Sequence, residues 1–119
     1  MYERLNRSTG SSLAYRITRP LGREEMQQIT DELEGTISVH GRIRVLIDLK
    51  AFPFDGLGSL WEELKFDIRH TPRLERLAIV GGTDVQQWVS RIFGVLTHTR
   101  CHCFNEGELD RAWDWLTGD

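Results

Sequence analysis

Arg44-Val-Leu-Ile-Asp-Leu49 is an almost unbroken apolar run. Such a run predicts a strand buried on both faces, the condition of a strand inside a parallel sheet. Leu74 to Val80 reads the same way. Ahead of the first run, Met26, Ile29, Leu33 and Ile37 step by three or four residues. They predict a helix over about Arg23 to Val39, opened by Pro20-Leu-Gly22 and stopped at Gly41. Further upstream, Tyr2 to Leu5 and Leu13 to Thr18 predict two short strands joined by the turn-forming stretch Asn6 to Ser12. Downstream, Phe52-Pro-Phe-Asp-Gly-Leu-Gly58 reads as a loop, Ser59 to Arg69 as a helix closed by Pro72, and Gly81-Gly-Thr-Asp84 as a turn. A helix-length segment from Val85 to Leu96, a short edge strand from Arg100 to Phe104 and a terminal helix from Glu106 to Leu116 complete the chain. The resulting order is β-β-α-β-α-β-α-β-α. It predicts an α/β fold in one domain over residues 1–119: an N-terminal hairpin, then a mostly parallel sheet with right-handed crossovers and about four helices.

The bulk composition narrows the functional classes. In 119 residues, 28% are charged and 39% hydrophobic, the balance of an ordinary globular protein. A net charge of −3 argues against a broad nucleic-acid footprint. Arg16, Arg19, Arg23, Arg42 and Arg44 are interleaved with acids or alternate along strands, the pattern of a solvated face. The apolar runs fall short of the roughly 20 residues that span a bilayer. Met1-Tyr-Glu-Arg-Leu-Asn6 lacks the apolar stretch of a secretory signal. With only Cys101 and Cys103, a disulfide framework is not expected, and a reducing cytoplasm is the simplest home.

The Val85 to Leu96 segment carries more large apolar residues than one buried face requires. Val85, Val89, Ile92 and Leu96 make one stripe, and Trp88, Phe93 and Val95 widen it beyond a core-facing arc. A thoroughly buried helix and a helix that covers a pocket, meets a membrane or binds a partner are both compatible with that excess. A second apolar group accompanies it: Phe52, Phe54, Leu57, Leu60, Trp61, Leu64 and Phe66. Ligand pockets are concave and largely apolar, and Gly56 and Gly58 beside the loop aromatics suit a mobile rim. Phe52 and Phe54 also read as a loop anchor in the core. The expected ligand-binding residues are Phe52, Phe54, Leu57, Leu60, Trp61, Leu64, Trp88, Ile92, Phe93 and Leu96. The expected membrane contacts are Trp88, Phe93, Val95 and Leu96, with Arg91, His98 and Arg100 as flanking cations. In parallel sheets ligands sit outside the carboxyl ends of strands where the order reverses. That geometry points to the Phe52 to Gly58 loop and the Gly81 to Asp84 turn.

Other candidate chemistries are weaker. Gly81-Gly-Thr-Asp84 lacks a Walker or dinucleotide pattern, and Asp84 both caps a helix and repels phosphate. His98, Cys101, His102 and Cys103 include potential metal ligands, yet on a strand the two cysteines point away from His102. No metal or cofactor is expected. Glu62 and Glu63 lie about 100° apart on a helix and do not converge. Lys65 and Asp67 read as surface charges, and His40 and His70 as helix C-terminal cations. No nucleophile stands beside an activator, so a non-enzymatic role is expected.

Ile43-Arg-Val-Leu-Ile-Asp-Leu49, Leu60-Trp-Glu-Glu-Leu-Lys-Phe66, Leu77-Ala-Ile-Val-Gly81 and Trp88-Val-Ser-Arg-Ile-Phe-Gly-Val-Leu-Thr97, taken in this order, resemble the SpoIIAA-like family across nearly the whole chain. These are small bacterial proteins of STAS type, likened in shape to lipid-binding CRAL-TRIO domains. The resemblance implies an apolar cavity beneath mobile helices, a lipophilic ligand, and peripheral membrane association through the helix matching Trp88 to Leu96. Anti-sigma-factor antagonists of the same fold carry a phosphorylatable serine after the central strand. This chain departs from them: Asp48-Leu-Lys50 puts lysine there, and the surroundings of Ser59 do not reproduce the switch. The expected function is therefore a cytoplasmic module that binds a lipophilic small molecule or lipid and contacts the inner face of the cell membrane reversibly. The alternative is a regulatory module that uses the same surface against a protein partner or a second copy of itself. Nucleic acid is not an expected partner.

Overall fold

The structure, a computed structural model, describes residues 2–50, 73–84, 86–87 and 100–118. Among these residues five strands form one sheet: β1 (Tyr2–Arg4), β2 (Ser12–Ile17), β3 (Ile43–Leu49), β4 (Leu74–Val80) and β5 (Arg100–Phe104). They lie in the order β1-β2-β3-β4-β5. β1 runs antiparallel to β2, with Tyr2 opposite Ile17. The other three pairings are parallel. The predicted hairpin and mostly parallel sheet are therefore present. Among the described residues two helices accompany the sheet, α1 (Arg23–His40) and α2 (Leu109–Thr117). The helix expected over Ser59 to Arg69 falls outside the described residues, and of the helix expected over Val85 to Leu96 only Gln86 and Gln87 are described, both helical.

Alternation along the strands divides the core into two layers. On one face Leu13, Tyr15, Ile17, Val45, Leu49, Leu77 and Ile79 are buried together with Met26 of α1, and Ile29, Leu33 and Ile37 pack against them. Those four α1 residues are the ones whose spacing predicted the helix. On the other face Ala14, Leu46, Ala78, Val80 and Phe104 meet Ala112 and Leu116 of α2. Ala14, Leu46 and Ala78 sit side by side in register on β2, β3 and β4. Two small side chains in that row let α2 approach the sheet closely, and Ala112 and Leu116 are fully buried there. The near-continuous apolar composition of β3 and β4 follows from this sandwiching: each strand fills both layers.

Local chemistry sets the element ends. The Glu25 side chain accepts the Gly22 N–H at 3.4 Å at the start of α1, where Glu24 and Glu25 also favour the helix dipole. Gly41 ends α1 in the left-handed region at φ 81°, and its N–H donates to the Ile37 carbonyl. The last helix starts at Leu109 rather than Glu106, because Gly107 takes φ 86° and breaks the chain's helical path. Glu108 N–H closes the resulting turn on the Asn105 carbonyl at 3.1 Å.

Arg19, Arg23 and Arg42 are exposed as expected, but two of the strand arginines depart from expectation. Arg44 does not belong to a solvated face. Its even spacing with Leu46 and Asp48 turns it to the α2 side. There its Nη1 donates to the carbonyls of Leu116 at 2.9 Å and Gly118 at 2.7 Å. Arg76, one strand over, donates to Trp115 O at 2.7 Å and Gly118 O at 2.9 Å. The C-terminus of α2, which exposes unpaired carbonyls and negative dipole charge, is thus held by two guanidinium groups.

Candidate functional site

The carboxyl ends of β2, β3, β4 and β5 form the described frame of the site. At the end of β3, Asp48 is only 2% exposed. Arg16, its register neighbour on β2, donates from Nε to Asp48 Oδ2 at 2.9 Å. The Arg16 Nη1 reaches Glu3 Oε1 on β1 at 3.2 Å. Lys50 Nζ stands 3.6 Å from Asp48 Oδ1, and that oxygen is buried without a hydrogen bond. Burial of a carboxylate is costly unless it is paired. The hydrogen bond to Asp48 holds Arg16 firmly charged and outweighs the desolvation of the guanidinium. The solvated-face expectation fails for Arg16 as well, since its partner is a buried acid. Alternation puts Arg44 and Asp48 on the same face as Leu46, but it does not name Arg16 as the partner of Asp48.

Beside Asp48, β4 ends at Val80, which faces Asp48 in register. Gly81 N–H then donates to the Phe104 carbonyl at 3.0 Å. Gln86 stitches the exits of β4 and β5 together, donating to Gly81 O at 3.0 Å and to Asn105 Oδ1 at 2.7 Å. A helical turn opens at Thr83, with the Gly82 carbonyl accepting Gln86 N–H at 3.0 Å. Asp84 lies inside that first turn and is not the cap residue as expected. Its charge still favours the positive end of the turn.

The strand order corrects one argument for this location. The parallel strands follow one another in sequence, β2-β3-β4-β5, without reversal. A switch-point crevice arises where the strand order reverses, and it does not reverse between these strands. Topology alone does not open a cleft at the carboxyl edge. The proposed ligand contacts Phe52, Phe54, Leu57, Leu60, Trp61, Leu64, Trp88, Ile92, Phe93 and Leu96, and the membrane contact Val95, lie outside the described residues, as do Glu62, Glu63, His70 and His98.

Cys101 and Cys103 point to the α1 side of β5, half-buried against the core. His102 points to the α2 side, where its ring lies 4.5 Å from Phe104 and 5.5 Å from Trp115. The alternation expected for this tripeptide is observed, and it keeps His102 away from the thiols. Burial, with a smaller contribution from Cys103, pushes the Cys101 thiol up to about 12. Burial raises Cys103 as well. Neither is a thiolate nucleophile at neutral pH. Among the described residues, no three His, Cys, Asp or Glu side chains converge in a way that could hold a metal.

The comparisons with known proteins agree with the fold. A crystal structure of an uncharacterized protein of the DUF3478 family from Shewanella loihica PV-4, described as having a SpoIIAA-like fold, is similar over 98% of this chain and 90% of its own, at 28% identity and a TM-score of 0.62. No curated protein matches the chain. The SpoIIAA-like family profile matches residues 12–117, from the first residue of β2 to the last of α2, and the chain belongs to that family.

Proposed function

We propose that this protein is a non-enzymatic binding module that holds a lipophilic molecule in an apolar pocket and associates reversibly with membranes through the Trp88 to Leu96 segment. The observation that carries the reading is the apolar excess of the two connections that leave β3 and β4. Phe52, Phe54, Trp61, Trp88 and Phe93 are five large aromatic residues in segments that a purely structural crossover would make more polar on its outer side. Family membership supports it. Among the described residues no helix is long and apolar enough to cross a membrane. Arg91 adds only about 1 kcal/mol at an anionic surface, and insertion of Trp88, Phe93 and Leu96 supplies the rest.

Vesicle flotation tests the reading. Wild-type protein is expected to float with liposomes, and a Trp88→Ser/Phe93→Ser variant with an unchanged circular dichroism spectrum is expected to stay at the bottom. Wild-type protein that never floats removes the membrane contact and leaves association with a soluble partner, or with a second copy, as the account of the apolar segment.

A further inference from the structure

An edge strand offers half of its backbone groups to any strand that can pair with them. β1 and β5 are the two edges of this sheet. β1 is blunted: it is three residues long, and its Glu3 and Arg4 are exposed charges. β5 lacks that protection. It holds no lysine, proline or acid, and its pairing with β4 runs through five residues without a bulge. Among the described residues nothing pairs with its other side. The direction of its free groups follows from the bonded ones. Gly81 N–H donates to the Phe104 carbonyl at 3.0 Å, so Phe104, and by alternation His102 and Arg100, turn their backbone groups to β4. Cys101 and Cys103 turn theirs outward.

The charges at the ends of β5 complement each other when the strand is reversed. Arg100, at its start, is exposed and makes no hydrogen bond or ion pair among the described residues. Glu106, just past its end, is also exposed and also unpaired among them. An isologous contact requires a patch that complements itself. Laid antiparallel on a second β5 with the two-fold axis at His102, Arg100 faces Phe104 of the second copy and has its Glu106 as diagonal neighbour, a spacing that long side chains cross. On either side of the axis Cys101 of one copy and Cys103 of the other exchange both backbone hydrogen bonds. The side chains match too. On the α1 side the half-buried thiols cover one another, and on the α2 side the two His102 residues meet at the axis, each with Trp115 at 5.5 Å. A strand of uniform charge would satisfy only one end of this pattern.

We infer that the free edge of β5 is a docking site for β5 of a second copy of this chain, in an antiparallel two-fold pair that joins two sheets into one. The contact uses residues apart from the Trp88 to Leu96 segment and needs neither ligand nor membrane. It is short, at the small end of specific interfaces, so the dimer is weak and fills at high protein concentration. The axis also fixes distances. His102 faces itself in a non-hydrogen-bonded pair, with Cα atoms about 4.5 Å apart, inside the range that a disulfide spans. The two Arg100 residues are four strand positions out of step and so more than about 13 Å apart.

The test combines sedimentation of the full chain over a concentration series with cysteine crosslinking, the thermal midpoint of every variant being measured. In a Cys101→Ser/Cys103→Ser background, His102→Cys is expected to form an intermolecular disulfide under mild oxidation, and Arg100→Cys is not. Cys103→Pro removes an outward N–H that β4 does not use, so it is expected to keep its circular dichroism spectrum and lose the dimer. Arg100→Glu and Glu106→Arg should each raise the dimer Kd on the order of tenfold, about threefold for each of the two symmetric contacts, and the double exchange should restore it. These results support the inference. Wild-type protein that stays monomeric at every concentration overturns it and leaves the edge open to a strand of another protein. Equal crosslinking at positions 100 and 102, or a double exchange that restores nothing, overturns the two-fold pairing. A dimer that survives Cys103→Pro and is lost in Trp88→Ser/Phe93→Ser overturns it as well, and moves self-association to the Trp88 segment. If Cys103→Pro does not fold, the crosslinks and the charge exchange decide the matter.

Discussion

At the scale of single residues, alternation on β5 assigns three neighbouring side chains to different environments. Cys101 and Cys103 enter the α1-side core, and His102 stacks against Phe104 and Trp115 on the other side. Burial favours the neutral thiol, so Cys101, pushed up to about 12, is almost wholly protonated at pH 8. Relative to an ordinary thiol its thiolate fraction falls by about a thousandfold, and the higher intrinsic nucleophilicity of a basic thiolate returns part of that loss. Modification of Cys101 in a Cys103→Ser variant by a disulfide reagent at pH 8 should therefore be slower in the native protein than in denaturant by on the order of 30-fold. A native thiol that reacts as fast as the unfolded one would show that β5 does not shield it. This tripeptide was legible from the sequence because period-two alternation alone fixes which side chains can meet. Asp48 was not, since a lone acid in an apolar run gives no hint of its partner, and that partner, Arg16, lies on another strand.

At the scale of elements, α2 depends on the sheet for its ending. No basic residue occupies its own last turn, and the charges that complement its dipole come from β3 and β4 instead. Arg76 is 7% exposed, bonds two of the terminal carbonyls and lies with its guanidinium 5.5 Å from the Trp115 ring centre. Arg76→Met keeps much of the buried stem and removes the donors, leaving those carbonyls poorly served. Hydrogen bonds to charged groups contribute about 1.5–3 kcal/mol, and a urea unfolding curve should show a loss of that size. A change within about 0.5 kcal/mol, typical of a surface substitution, would mean that Arg44 alone suffices. The elements themselves were largely readable: Leu74 to Val80 and Arg100 to Phe104 match the predicted strands residue for residue, because β4 fills two core layers and β5 is bounded by turn residues. The start of α2 was misplaced by three residues because the pattern that marks its face, Leu109, Ala112, Trp113 and Leu116, does not register the positive φ of Gly107. The Arg44 and Arg76 clamp was invisible, since its donors and acceptors are about 40 or more positions apart.

At the scale of the whole molecule, the unreversed strand order does two things that local periodicity does not encode. It denies the parallel strands a switch point, which weakens the topological case for a carboxyl-edge crevice, and it sets β5 at the border of the sheet with one side unpaired among the described residues. The residues expected to line a pocket were chosen for apolar excess, a property of composition, so they could be named without knowing where the chain takes them. The same order sets a gradient of local stability. β3 and β4 are each hydrogen-bonded on both sides and buried on both faces, whereas β1 is a three-residue edge strand with two exposed residues. Amides deep in a two-layer core exchange only when the domain opens, and edge amides exchange by fraying. Native-state hydrogen exchange should therefore find Leu46, Ile47, Ala78 and Ile79 among the slowest amides, with free energies of opening equal to that of global unfolding. Glu3 and Arg4 should exchange faster and with little dependence on denaturant. Equal protection of Glu3 and Ala78 would mean that β1 opens only with the rest of the sheet, and the stability gradient drawn from strand order would be wrong.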